Sequence, residues 1–250
     1  MPEVDVEKLL ETGAHFGHQS RRWNPRMAPY IFGVRDGVRV FDLIKTKVEL
    51  EKALDVIKKA SKEGKNILLI GTKKQASEKV REIGEKHNIH FVSERWLGGT
   101  FTNFSQVKKS IDSLEKMKED MTAGAYKNYT KKERLLIQRK IDKMENQIGG
   151  ISGLKGIPDL MIIIDTHREH GAVAEAQQLG VETIGIVDSN ADPNEVDWPI
   201  PMNDDAQKAL DYVLGLIEEA IIEGKGKTTK KTTKKVVKKK KDGKSKKSNS

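Results

Sequence analysis

The sequence predicts an α/β protein, a doubly wound parallel sheet of about five strands interrupted by an inserted pair of helices. Two observations carry this. Short continuous apolar runs recur at Ile67 to Ile70, Leu160 to Ile164 and Thr183 to Val187, each followed by a helical segment. Strands that are apolar at every position are strands covered on both faces, as in parallel sheets. Residues 105 to 148 then break the alternation with two helical stretches and no strand between them.

In chain order, residues 5 to 12 read as a short helix stopped by Gly13. Ile31 to Val34 and Val38 to Phe41 read as a hairpin, with Asp36-Gly37 as its turn signal. Asp42 is placed to cap a helix in which Leu43, Ile44, Val48, Leu54 and Ile57 recur at helical spacing until Gly64. The strand at Ile67 leads through Gly71-Thr72-Lys73-Lys74 into a helix ending near His87, and His90 to Val92 supplies a further short strand. Right-handed crossovers are expected between such strands.

In the insertion, Val107, Ile111, Leu114 and Met121 follow a four-three spacing that Lys118 interrupts, and Ile137, Ile141, Met144 and Ile148 follow four-three-four. This is the narrow seam of a coiled coil. Gly124 can end the first helix and Thr130 with Glu133 forms a capping box for the second. An antiparallel hairpin of roughly 27 Å follows from the helical rise. The expected organisation is a core of residues 1–104 and 149–224, a coiled-coil hairpin over 105–148, and a disordered Lys-rich tail over 225–250.

The net charge of +9 conceals an asymmetry. Residues 225 to 250 hold 13 Lys against one Asp, a contribution of +12, so residues 1 to 224 sum to −3. Against that acidic background the stretch between Glu11 and Asp36 contains no acidic residue and holds Arg21, Arg22, Arg26 and Arg35. His15, Phe16, His18, Trp23 and Tyr30 lie among them. Arginine forks pair with phosphate oxygens and aromatic faces stack on bases, so the stretch is a candidate nucleic-acid surface, with Pro25 and Pro29 expected to keep it extended. The tail would add salt-dependent, sequence-independent affinity for RNA.

Other classes find less support. The chain has no Cys, no run of apolar residues near the length of a membrane span, and an acidic N-terminus without an apolar leader core. A cytoplasmic protein without disulfides is the expectation. Gly71 to Lys74 opens a helix at a strand end, where phosphate can bind, yet neither a P-loop nor a G-x-G-x-x-G fingerprint is present. An enzyme or sensor for a phosphorylated ligand at Gly71 to Lys74 and Asp188 to Asn190 is the alternative from another class.

His15-x-x-His18, His167-x-x-His170 and the carboxylates near Asp188 and Asp204 are of metal-ligand type, and a site from His18, Asp188 and Asp204 can be assembled on paper. Asn203 and Asp204 also read as ordinary helix caps. Asp165-Thr166-His167 is the best acid-base candidate and reads equally as a helix cap with a polar first turn. No catalytic site and no cofactor are expected.

Taken together, Gly13-Ala-His-Phe-Gly-His-Gln19 running into Arg22-Trp-Asn-Pro25, Ile31-Phe-Gly33, Gly71-Thr-Lys-Lys74, Arg95-Trp-Leu-Gly-Gly99 with Thr102-Asn103, Pro158-Asp159, and Asp188 to Pro193 through Ile200-Pro201 and Asn203 to Ala206 carry a resemblance. They resemble the protein-two family of the bacterial small ribosomal subunit, over residues 9 to 222. The resemblance implies a flavodoxin-like or Rossmann-like three-layer α/β/α core with a protruding hairpin. It also implies a non-enzymatic role in the cytoplasmic ribosome. There such a protein binds small-subunit ribosomal RNA near the head-body junction, contacts neighbouring ribosomal proteins and supports the large first protein of the subunit. Neither a membrane nor a small-molecule substrate is implied. The expected phosphate-binding residues are Arg21, Arg22, Arg26, Lys73, Lys74 and Arg95. Trp23 is expected either to stack or to anchor, Asn103 to make polar contacts, and Lys108, Lys109, Lys131 and Lys132 to rank second. Met202 departs from the glycine many members carry there.

Overall fold

The computed structural model describes residues 4–226, so of the expected Lys-rich tail only Lys225 and Gly226 fall within it. The chain opens with α1 (Val6–Glu11), whose N-cap Asp5 accepts a hydrogen bond from the Glu7 N–H. Three strands follow, β1 (Phe16–Gln19), β2 (Ile31–Arg35) and β3 (Val38–Phe41), paired antiparallel in the order β1-β3-β2. The β2-β3 turn places both Asp36 and Gly37 at positive φ, 52° and 78°, the hairpin geometry that Asp-Gly favours.

Between β1 and β2 the expectation of an extended path is corrected. Pro25–Tyr30 is a 3-10 helix, capped by Asn24 accepting from the Arg26 N–H at 3.0 Å. The φ that proline fixes suits the first turn of a helix as well as an extended segment, and Pro25 at the first position gives up an N–H that would have had no partner.

α2 (Leu43–Lys62) starts at Asp42, as its capping signal predicts. It is followed by β4 (Ile67–Ile70), α3 (Lys74–His87), β5 (His90–Val92), α4 (Phe104–Ala123) and α5 (Lys131–Ile148). The chain then returns through β6 (Leu160–Ile164), α6 (His170–Leu179), β7 (Glu182–Val187), β8 (Trp198–Pro201) and α7 (Gln207–Gly224). β4 to β8 form one parallel sheet in the order β5-β4-β6-β7-β8. The fifth strand, β8, has no counterpart in the sequence reading because Trp-Pro-Ile-Pro looks like a turn. Prolines are tolerated there because β8 is an edge that pairs only with β7.

The continuous apolar runs are explained by two cores. Ile67, Leu69, Leu160, Ile162, Ile184 and Ile186 face one core, shared with α2, α3 and α7. Their chain neighbours Leu68, Ile70, Met161 and Ile163 face the other, shared with α6 and the insertion. At roughly 1.5–3 kcal/mol for each fully buried side chain of this size, both faces must be covered for the sheet to stand. Met202 is completely buried in the first core, so the methionine is accommodated as core rather than excluded from a tight loop.

In the insertion, Ile111, Leu114, Ile141 and Ile148 are buried in the second core, and Val107, Met121, Ile137 and Met144 pack against it. Lys118, which interrupts the apolar spacing, forms an ion pair across to Glu145 on α5. Gly124 ends α4 in the left-handed region at φ 76°, and the Thr130–Glu133 capping box is present.

Candidate nucleic-acid interface

In a parallel sheet the segments leaving the strands all emerge at one end, so Thr72 to Lys74, Glu94 to Asn103, Asp165 to Glu169, Asp188 to Asp192 and Met202 to Asp205 share an edge. The acid-free segment is pinned to that edge by the residues after β7. The Ser189 hydroxyl accepts from the His18 N–H at 2.7 Å, and the Ser189 carbonyl accepts from the Asn24 N–H at 2.7 Å. A Cβ on Gly17 would lie 2.8 Å from the Ser189 hydroxyl, so glycine permits this approach. His18 Nδ1 lies 3.0 Å from Asp188 Oδ1, Met27 is fully buried, and Arg26 pairs with the buried carboxylate of Asp192. The hydrogen bond to Asp188 holds the His18 imidazole above its ordinary pKa despite partial burial, with further help from Asp188, Asp204 and Asp205 charges.

The expected arginines therefore divide. Arg26 is committed to Asp192, whereas Arg21 and Arg22 are exposed and, among the described residues, have no carboxylate within ion-pair distance. The Arg39 guanidinium lies 3.7 Å from the centre of the Trp23 ring, so one face of Trp23 is already covered by a cation.

Lys73 does not stand ready for a phosphate. Its ammonium lies 2.6 Å from Asp204 Oδ1, 2.6 Å from Asp205 Oδ1 and 3.3 Å from Asp165 Oδ2, and its side chain is 11% exposed. Burial opposes its charge, but these carboxylates outweigh that and hold its pKa above the ordinary value. Asp204 is pushed up to about 8, first by burial and then by the charges of Asp188 and Asp165. Lys74, the next residue, is exposed.

The ligand-type atoms of His18, Asp188 and Asp205 lie within 4.8 Å of one another. The trio thus contains Asp205 in place of the expected Asp204, whose carboxylate is given to Lys73. Of the remaining histidines, His15 packs against Phe16 while His167 and His170 are exposed. Asp165 accepts from the Arg168 N–H at 2.9 Å and so closes the turn before α6, whose own N-cap, Glu169, makes no side-chain capping bond, so the helix-cap reading of that motif is not met.

Arg95 is exposed beside the buried Trp96, in a loop held by one residue that the sequence reading missed. Glu175, on the inner face of α6 and 8% exposed, accepts from the Trp96 indole at 3.0 Å. It also accepts from the N–H groups of Gly99, Phe101 and Thr102 at 2.8, 2.9 and 3.1 Å. Burial raises its pKa, but these donors outweigh burial and hold it below the ordinary carboxylate value. A Glu between Ala174 and Ala176 was the available signal, since a carboxylate on an apolar helix face needs donors from elsewhere. Asn103 is exposed at the start of α4, with Lys108 and Lys109 exposed within the next two turns.

No helix among the described residues is long and apolar enough to cross a membrane. The family model described as ribosomal protein S2 matches residues 9–224. Small ribosomal subunit protein uS2 of Nitratiruptor sp. is 48% identical over 222 residues, 89% of this chain and 83% of that protein. The uS2 proteins of Helicobacter hepaticus and Agrobacterium fabrum are 46% and 43% identical, over 89% and 90% of this chain and 84% and 88% of their own lengths.

Proposed function

The chain belongs to the ribosomal protein S2 family, and from that premise we propose that it is a constituent of the small ribosomal subunit that binds ribosomal RNA near the head-body junction. The family's names are those of a ribosomal component and not of an enzyme. The observation that supports RNA binding most is the pinned, acid-free segment, which presents Arg21 and Arg22 without carboxylate partners on a globule whose remaining charge is negative. Such a patch binds locally, where a diffuse positive coat would not discriminate.

Lys74, Arg95, Asn103, Lys108 and Lys109 extend the proposed RNA surface along the same edge and the start of α4. Arg26 and Lys73 support it from beneath by holding Asp192 and the Asp165–Asp204–Asp205 group. The helices over 105–148 are assigned as a coiled-coil hairpin that contacts neighbouring ribosomal proteins, including the large first protein of the subunit. The Lys-rich tail is assigned an auxiliary electrostatic role, and the place of action is the cytoplasmic ribosome. The neutralisation of Lys73 disfavours a phosphorylated small ligand at Gly71 to Lys74, since the cation such a site needs is already in use.

Replacing Arg21 and Arg22 together by Ala is expected to weaken binding to small-subunit ribosomal RNA. The slope of log affinity against log salt should flatten by roughly 0.7–0.9 for each phosphate that is no longer neutralised. The melting temperature of the free protein should not change, because neither side chain holds the fold. Unchanged affinity and slope in a titration from low to moderate salt would overturn the proposal.

A further inference from the structure

We infer that Phe91 is the residue that sets the direction of the 105–148 hairpin, wedged as a spacer between Gly84 of α3 and Gly150, where the chain returns from α5 to the core. This rests on the hairpin assignment above. A Cβ built on Gly84 would lie 2.1 Å from Phe91 Cδ1 and 2.9 Å from Cε1. One built on Gly150 would lie 2.2 Å from the Phe91 carbonyl oxygen, 2.9 Å from Cδ2 and 3.0 Å from Cε2. Opposite edges of one ring therefore meet two glycines, one inside α3 and one in the 3-10 turn Gly149–Ile151 that follows α5. No other glycine among the described residues is approached as closely.

Space, not conformation, accounts for these glycines. Neither has a positive φ, and glycine inside a helix is less stable there than alanine. What each provides is room for Phe91. The polar contacts at the junction are weaker constraints. Arg81 Nη2 on α3 stands 3.5 Å from Asn146 Oδ1 on α5, the outer limit of a hydrogen bond. The His90 imidazole bonds the Gly150 backbone, and that bond only partly offsets the burial that lowers its pKa.

The outgoing helix has a separate root. α4 leaves from the loop gathered on Glu175, where Phe101 stacks on Phe104, the first residue of α4, with ring centres 6.2 Å apart. One root at Glu175 and another at Phe91 leave the hairpin little freedom to swing. A methyl at Gly150 must move by about 1.2 Å to reach the 3.4 Å of ordinary contact with the Phe91 carbonyl. With helix axes roughly 8–10 Å apart and a hairpin of roughly 27 Å, that shift at one root becomes about 3–4 Å at the tip. The direction of the hairpin decides which neighbours it reaches, so the seat of Phe91 positions it for assembly.

The test uses the full chain. Because it has no cysteine, Asp55→Cys on α2 and Asn128→Cys at the hairpin tip, both at exposed positions, can carry a pair of spin labels. The parent should give one narrow distance distribution. Gly150→Ala should shift or broaden it by about 3–4 Å, and Gly84→Ala and Phe91→Ala should broaden it, with the circular dichroism of the core unchanged. In the Phe91→Ala background Gly84→Ala should add nothing, since the ring it would meet is gone, whereas Gly150→Ala should still act through the carbonyl. Each single variant should enter small subunits less than the parent when the two compete. A distribution already broad in the parent, or unchanged in folded Gly150→Ala and Phe91→Ala proteins, would overturn the inference, as would a displaced hairpin with undiminished entry. If the parent itself does not enter small subunits, the function proposed above falls, and the distance measurement still decides whether Phe91 sets the hairpin.

Discussion

Glu175→Ala is expected to lower the unfolding free energy by about 3–5 kcal/mol, from a cost of roughly 1–3 kcal/mol for each buried donor stripped of its acceptor, less what water and rearrangement recover. The donors are the Trp96 indole and the N–H groups of Gly99, Phe101 and Thr102, all gathered on one carboxylate. Glu175→Gln keeps one acceptor oxygen but turns an NH2 group toward these donors, so it should recover little. The loss should also reach function, because this loop carries Arg95 and leads into Asn103. Since Glu175 titrates below its ordinary value in the folded protein, its contribution is fully present above the unfolded carboxylate pKa. That contribution is withdrawn as pH falls through the folded one. Urea unfolding at neutral and acidic pH measures both effects. A Glu175→Ala protein as stable as the parent would show that the loop does not depend on this carboxylate.

Lys73→Met should cost up to a similar amount, about 3–5 kcal/mol, once Asp204 is ionised, because breaking a buried ion pair leaves uncompensated charge behind. Without the ammonium, Asp204, 1% exposed, and Asp165, 7% exposed, lose the cation they pair with, whereas Asp188 keeps His18. The pH dependence has a definite sign. Asp204 is raised to about 8, so its contribution is complete below the unfolded carboxylate pKa and is lost as pH rises through the folded value. The deficit of Lys73→Met should therefore be larger at a pH near 8 than in mild acid. Adding Asp204→Asn should restore part of it, since the two side chains are in direct contact. Melting curves across this range would contradict the account if the deficit were independent of pH or if the second substitution only added to the damage.

The difference between what the sequence discloses and what it conceals has a physical basis here. Ile67 to Ile70 and Leu160 to Ile164 were legible because a strand buried on both faces must be apolar throughout, and Asp42, Gly124 and Thr130 because caps act through near neighbours. β8 was not, because its two prolines are permitted only by an edge position that pairing with β7 creates. Pro25 to Tyr30 failed for a related reason, as proline fixes φ and leaves the choice between turn and extension to the neighbouring residues. At the site, Arg21 and Arg22 could be found from local charge. The commitments of Arg26 to Asp192 and Lys73 to Asp204 could not, since those partners lie 166 and 131 residues away. Glu175 was missed for the same reason, its donors being 73 to 79 residues distant.

The central claim is that this protein works as an integral part of the small ribosomal subunit. It is tested most directly by separating cellular small subunits on a gradient at high salt. Salt strips proteins held only by charge, including any held by the Lys-rich tail alone, whereas an ordered surface combining arginine contacts with protein neighbours should persist. The account predicts that the protein migrates with the small subunit under these conditions. Its recovery at the top of the gradient, with other small-subunit proteins still in place, would contradict it.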